Sequence, residues 1–193
     1  MKNLLLLVAI SLVLFTCEAP VKNILIDNPS DKEITIEIGD DPVIKIGPHQ
    51  SKEVEIKFGK RNISVNGGEA EKIHLDKEKD YLLNPLKETY YIQYAKFFTS
   101  DKIMKEYFKY NDDKSDFEGM EIGGDYRKIA NKILIEKSWK FGLDSPITNE
   151  IGIRAKKAKD FYTLKKIHRK VDLEKIIMDS FMNALQEQAL DKE

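Results

Sequence analysis

The stretch "ITIEIGDDPVIKIGPHQSKEVEIKFGKRNISVNG" (34–67) alternates apolar and polar residues two by two, and turn residues interrupt it at short intervals. Ile34, Ile36 and Ile38 fall on one face of an extended segment, and Ile44/Ile46, Val54/Ile56/Phe58 and Ile63/Val65 repeat the pattern. Successive side chains of a strand point to opposite faces, so each segment has one face suited to burial. Between them, "GDDP" (39–42), "GPHQS" (47–51) and "FGKRN" (58–62) supply glycine, proline and asparagine where the chain must reverse. Short strands joined by tight turns predict a small antiparallel sandwich or barrel.

The pattern extends both ways. Ile24/Ile26 precede the turn "DNPSD" (27–31), Ile73/Leu75 follow "NGGE" (66–69), and "TYYIQYAKFF" (89–98) is a further strand rich in aromatic and β-branched residues. Asn28-Pro29 and Asn84-Pro85 mark two turns. Beyond residue 98 the period changes. Residues 100–125 read as a short amphipathic piece followed by an acidic surface loop. "DYRKIANKILIEKSWKFG" (125–142) reads two ways: Tyr126, Ile129, Ala130, Ile133 and Leu134 fit a helix capped by Asp125 and stopped by Gly142, while Ile133, Ile135, Trp139 and Phe141 fit a strand with Lys137 as the one exception, and a short helix feeding a strand is expected. "LDSPITNEIG" (143–152) is a loop. Leu173, Ile177, Phe181, Ala184 and Leu185 then recur at steps of three and four, giving a terminal amphipathic helix over 171–190, with Asp172 as N-cap and Val171 and Ile176 as a hydrophobic staple. Its stripe is expected to pack on the chain's own core. The fold class is therefore α+β: an antiparallel β-sandwich-like domain over 17–98, then a mixed α/β region over 99–193 closed by that helix.

The β region resembles the small immunoglobulin-like or PEGA-like modules that follow the anchor in many bacterial envelope proteins, through the alternation and turns of residues 34–67. The resemblance implies an architecture and no activity. Upstream, Met1 and Lys2 give a short positive start, and Leu4–Leu14 is apolar but for Ser11, the length of a secretory signal core and too short to span a bilayer. It ends in Leu14-Phe15-Thr16-Cys17, which resembles the lipobox of bacterial lipoproteins, a leucine three places before a cysteine; Phe15 and Thr16 stand where smaller residues are usual. The resemblance implies removal of residues 1–16 as a signal peptide, a thioether-linked diacylglycerol on Cys17, and usually an acylated amine as well. Two or more chains anchor a protein stably. Cys17 is the chain's single cysteine, so no internal disulfide can hold the remaining 177 residues.

Catalytic signatures are absent: there is no G-x-S-x-G, P-loop, G-x-G-x-x-G, H-E-x-x-H or EF-hand run. His49, His74 and His168 are isolated, and neither a metal nor a cofactor is expected. Asp112, Asp113, Asp116 and Glu118 could gather on Ca²⁺ but lack EF-hand spacing, and a solvated acidic loop is the simpler account. Charge is more informative. Residues 17–125 carry net −7, residues 126–171 net +9 and residues 172–193 net −4. Within the basic band, Arg154, Lys156, Lys157, Lys159, Lys165, Lys166, Arg169 and Lys170 are interleaved with Phe161 and Tyr162. They are candidates for binding an anionic envelope component; the rival account is that the band pairs with the chain's own acidic segments. Nucleic acid is not expected as a partner of an exported protein.

These features lead to the expectation of a bacterial cell-envelope lipoprotein. It would be held to a membrane by acylated Cys17, the outer ahead of the inner, and face the periplasm or the cell surface. It would serve as a non-enzymatic binding or scaffold module for an envelope component or partner protein. The alternatives are an envelope hydrolase, which requires a deep pocket holding His168 or His74 beside a carboxylate, and a small subunit of an export or assembly complex, which requires an exposed apolar face on the 171–190 helix.

Overall fold

The computed structural model describes residues 20–147 and 160–190. The expected signal segment and Cys17 lie outside them. Every alternating segment of the first half is a strand: β1 (Val21–Asn28), β2 (Ile34–Ile38), β3 (Ile44–Ile46), β4 (Gln50–Lys57), β5 (Gly59–Val65) and β6 (Glu71–Leu75), followed by β7 (Tyr81–Leu83) and β8 (Tyr90–Phe98). An outer sheet has the order β3-β2-β5-β6. A central sheet runs β12-β7-β1-β4, where β12 is Leu134–Glu136. A third sheet runs β11-β8-β13, with β11 at Tyr126–Ile129 and β13 at Phe161–Arg169.

Strand parity stacks these sheets. Ile24 and Ile26 of β1 face the outer sheet and meet Ile34, Ile36, Ile38 and Ile63 in one apolar core. Full burial of each such side chain contributes about 1.5–3 kcal/mol. Leu25 and Asp27 alternate with them and face the other way, where Leu82, Ile135, Tyr90, Ile92, Ile167 and Trp139 make a second core between the central and third sheets. The central sheet is thus covered on both sides. On the far face of the third sheet, Tyr91 packs with Phe117 and Leu173, which come from a hairpin of β9 (Lys114–Phe117) and β10 (Met120–Gly123) and from the terminal helix α2 (Lys170–Leu190). This is an α+β protein with β-sandwich-like sheets. β8 is the middle strand of the third sheet and β12 an edge of the central one, so the division expected at residue 98 runs through shared sheets.

Four local expectations differ. Helix α1 (Asp101–Tyr110), N-capped by Ser100, is the amphipathic piece, but the loop expected after it is the β9–β10 hairpin. Phe117 pairs with Met120 across Glu118-Gly119, both at positive φ (52° and 87°), the two-residue turn whose twist suits a hairpin. The helix expected within 125–142 does not form. Tyr126–Ile129 instead completes the ladder beside β8, an edge whose unpaired backbone groups outweigh a weak helical period, and Asn131 at φ 57° breaks the path before β12. The sheets are antiparallel throughout except that β7 lies parallel to β1, which the long excursion through the outer sheet makes possible. Finally, α2 begins at Lys170, so Asp172 sits inside its first turn rather than at the cap, and Val171 and Ile176 are exposed rather than stapled together.

Asp27 of β1 and Arg169 at the end of β13 join the layers. Arg169 Nε donates to Asp27 Oδ1 and Oδ2 (3.1 and 2.9 Å) and Nη2 to Oδ1 (2.7 Å), while Tyr90 Oη donates to Oδ2 at 2.6 Å. Asp27 is 0 % exposed and Arg169 4 %. Arg169 Nη1 reaches outward to Asp144 (3.0 Å) and Asp172 (3.1 Å). Burial, then the adjacent carboxylate, push the Tyr90 phenol far above its usual range, so it stays a donor. Removing one partner of a buried pair strands the other. Arg169→Leu, which leaves Asp27 with Tyr90 alone, is expected to cost about 3–5 kcal/mol in urea unfolding. Asp27→Asn should cost clearly less, because Arg169 keeps two carboxylates; equal losses would contradict this account.

Candidate functional site

Of the basic band, Arg154, Lys156, Lys157 and Lys159 lie outside the described residues. The other four are placed, and most are spent internally. Lys166 is 8 % exposed, and its ammonium donates to the carbonyls of Gly142 (3.0 Å) and Leu143 (3.3 Å) and to that of Ser145. Burial lowers its pKa. Arg169 is the layer-joining cation, Lys170 pairs with Glu118 at 3.2 Å, and the Lys165 ammonium lies 5.0 Å from the Tyr94 ring centroid. Lys166 and Arg169 are therefore not available to a surface anion, for the physical reason that each already satisfies buried acceptors. The rival expectation, pairing with the chain's own acidic segments, describes Arg169 and Lys170.

The acidic run is likewise partnered. Asp112 pairs with Lys114 (2.8 Å), and Asp113 with Lys96 (2.8 Å) and the Tyr107 hydroxyl (3.0 Å). Glu118 Oε1 accepts from Lys128 and Tyr91, both at 2.7 Å. With Lys170, these bonds hold the Glu118 carboxyl at about 2. Among the described residues no group of three or more His, Cys, Asp or Glu is arranged to hold a metal ion. His49 pairs with Asp31 at 2.6 Å on an exposed turn, and His74 lies in a shallow recess with Lys72, Asn131 and Lys132. His168 is buried, its Nε2 2.9 Å from Gln93 Oε1 and its ring 6.3 Å from that of Tyr126. The recess at His74 has no carboxylate among its lining residues, so it lacks the arrangement the hydrolase alternative requires there.

Two features stand open. The first is α2. Leu173 is fully buried and Ile177 partly, but from Met178 to Gln188 every residue is exposed. Met178 (54 %), Phe181 (59 %), Met182 (51 %) and Leu185 (46 %) present apolar side chains to solvent. The expected packing of the whole stripe on the chain's own core holds only for the first two turns, because the body ends there. The second feature is a cleft of about 370 Å³ at the edge of the central sheet, with Leu25, Leu82 and Tyr81 as apolar lining, Trp139 and Lys140 from the segment after β12, and Lys22 and Asn23 from the start of β1. Sequence reasoning missed it. The available signal was the lone tryptophan set between two lysines in "KSWK" (137–140), while the β1 residues opposite it could be found only from the fold.

The chain matches no family model, no curated protein and no solved structure. Among the described residues no helix is long and apolar enough to cross a membrane.

His168 gives a pH signature. Burial, then the neighbouring Lys166 charge, lower its pKa from 6.5 to about 4, with Asp172 opposing. Between those values the unfolded chain holds a proton that the folded one does not. Stability is therefore complete above the unfolded pKa and falls as pH drops toward the folded one. Thermal or urea unfolding should show a loss of about 2 kcal/mol between about pH 7 and about pH 5. His168→Asn should flatten that slope; an unchanged slope in the variant would refute the assignment.

Proposed function

We propose that the chain is a bacterial cell-envelope lipoprotein, anchored through acylated Cys17 at the outer membrane and facing the periplasm or the cell surface, whose β body is a non-enzymatic module that presents α2 to a partner protein. The observation that carries the binding part is the exposed apolar face of α2 at Met178, Phe181, Met182 and Leu185. Contiguous apolar surface of this kind marks interaction sites. The same helix exposes Glu174, Asp179 and Glu187 against Lys175 alone, so the partner that fits is an apolar groove rimmed by lysine or arginine. A second copy of the chain would bring acidic flanks together. The anchoring part is supported by the Leu14–Cys17 lipobox resemblance. Val21, where β1 begins, is four residues past Cys17, a reach of at most about 14 Å, so the body would be held close to the membrane. A small subunit of an envelope export or assembly complex is the specific form of scaffold that the exposed face favours.

Two measurements test this. Metabolic labelling with a fatty-acid probe should mark the wild type and not Cys17→Ala, and equal labelling of both would remove the anchor. Met178→Asp/Leu185→Asp should leave thermal stability within about 0.5 kcal/mol per site, yet abolish the salt-sensitive retention of a partner from detergent-solubilised envelopes. Partner retention unchanged by the substitutions, or a wild-type chain that sediments as a dimer through α2, would overturn the assigned partner chemistry.

A further inference from the structure

The cleft beside Trp139 has a chemistry that neither the anchor nor α2 explains. Trp139 is only 8 % exposed, yet no acceptor among the described residues takes its indole N–H. Leu82 at the floor is fully buried, and Leu25 and Tyr81 add apolar surface beside it. Of the cleft's three lysines, Lys22 is occupied, its ammonium 2.8 Å from Asp80 and 2.6 Å from the Lys79 carbonyl. Lys137 and Lys140 are exposed and form no ion pair among the described residues. Glu53 and Asp80 lie at the same rim, and the Asn23 amide is also present. The volume falls within the range of small-molecule sites, about 300–1,000 Å³.

We infer that this cleft binds an acidic sugar: a polyhydroxylated ring with one carboxylate, alone or as a residue of an acidic glycan. Tyr81, partly exposed at the cleft, is the flat side chain that can give such a ring an apolar surface for its C–H face. The two unpaired ammoniums suit a single carboxylate. The Trp139 N–H, Glu53 and Asn23 offer the donors and acceptors that ring hydroxyls require, and buried or rim polar groups left unpaired penalise a ligand that lacks them. The mixed charge discriminates in both directions. A phosphate with two negative charges meets Glu53 at the rim, Asp80 being held by Lys22, and a neutral sugar leaves Lys137 and Lys140 uncompensated.

Trp139 is the chain's only tryptophan, so intrinsic fluorescence of the full chain in detergent reports on this cleft alone. Titration with glucuronic acid is expected to give a saturable change in emission. Glucose and inorganic phosphate should bind at least about tenfold more weakly, a difference of about 1.4 kcal/mol. Raising salt should weaken the glucuronic acid response, and Lys137→Ala/Lys140→Ala, at two exposed positions where circular dichroism should show an intact fold, should lower affinity about tenfold or more. No saturable response to glucuronic acid up to about 50 mM, which would exclude binding near 1 mM, overturns the inference. So does equal binding of glucose or phosphate, or wild-type affinity in the double variant.

Discussion

The buried pair between Asp27 and Arg169 is the constraint on which the layer arrangement depends. Its partners stand 142 residues apart, one in the central sheet and one at the last position of β13. A carboxylate at 0 % exposure is tolerable only if it is fully bonded, and here two guanidinium nitrogens and the Tyr90 hydroxyl supply the donors. Such a pair adds little stability over an apolar substitute, but it permits one register, because any slip of β13 against β8 by a single residue would turn Arg169 away from Asp27. Arg169 is followed at once by α2, with no linker between them. Fixing the end of β13 therefore also fixes where the helix leaves the body, and the Asp172 contact at 3.1 Å ties the first turn to the same cation.

The same geometry explains what became of the basic band. Among the described residues of the three segments of net −7, +9 and −4, charges of opposite sign meet. Arg169 takes Asp27, Asp144 and Asp172, and Glu118 takes Lys128 and Lys170. A sequence-level excess of cations is a field only when the cations remain in solvent, and paired ones contribute little beyond about a Debye length. Any cationic field of the described body is then local, set where lysines form no ion pair among the described residues, as at Lys137 and Lys140.

Much of the fold was legible because period two is a direct consequence of strand geometry. Ile24/Ile26, Ile34/Ile36/Ile38, Ile44/Ile46, Ile56, Ile63 and Ile73/Leu75 are buried on the face the alternation assigned, and Val54, Phe58 and Val65 are half-buried. The two Asn-Pro turns were legible too, though not their purpose. Asn28 and Asn84 are both fully buried, their amides donating to carbonyls across the turn and beyond it, such as Gly47 (2.8 Å) and Lys132 (2.9 Å). What failed was local pattern in short segments. Tyr126–Ile129 carries too few residues to separate a helical from an extended period, and its state is set by the vacant edge of β8. Glu118-Gly119 looked like part of a loop because a non-glycine residue at positive φ leaves no mark in composition. The Trp139 cleft joins residues 22–25 to residues 137–142, and no spacing rule reaches that far.

In helix α2 one periodic stripe meets two environments, the body's core and solvent. Leu173 and Ile177 anchor the first turns against Tyr91 and Phe117, while Met178 onward continues the same helix with no core to enter. An isolated three-turn helix is marginal in water. These turns start from an anchored one, so the cost of nucleation is already met by the body's packing. A preformed helix loses less conformational freedom on binding than a segment that must fold first, and the two methionines can adjust to a groove without a fixed shape. The last turn carries no basic residue, so none of its own side chains offsets the partial negative charge of its carbonyl ends. That charge adds to Asp179 and Glu187 on the same exposed turns, and a basic rim in a partner would offset both at once.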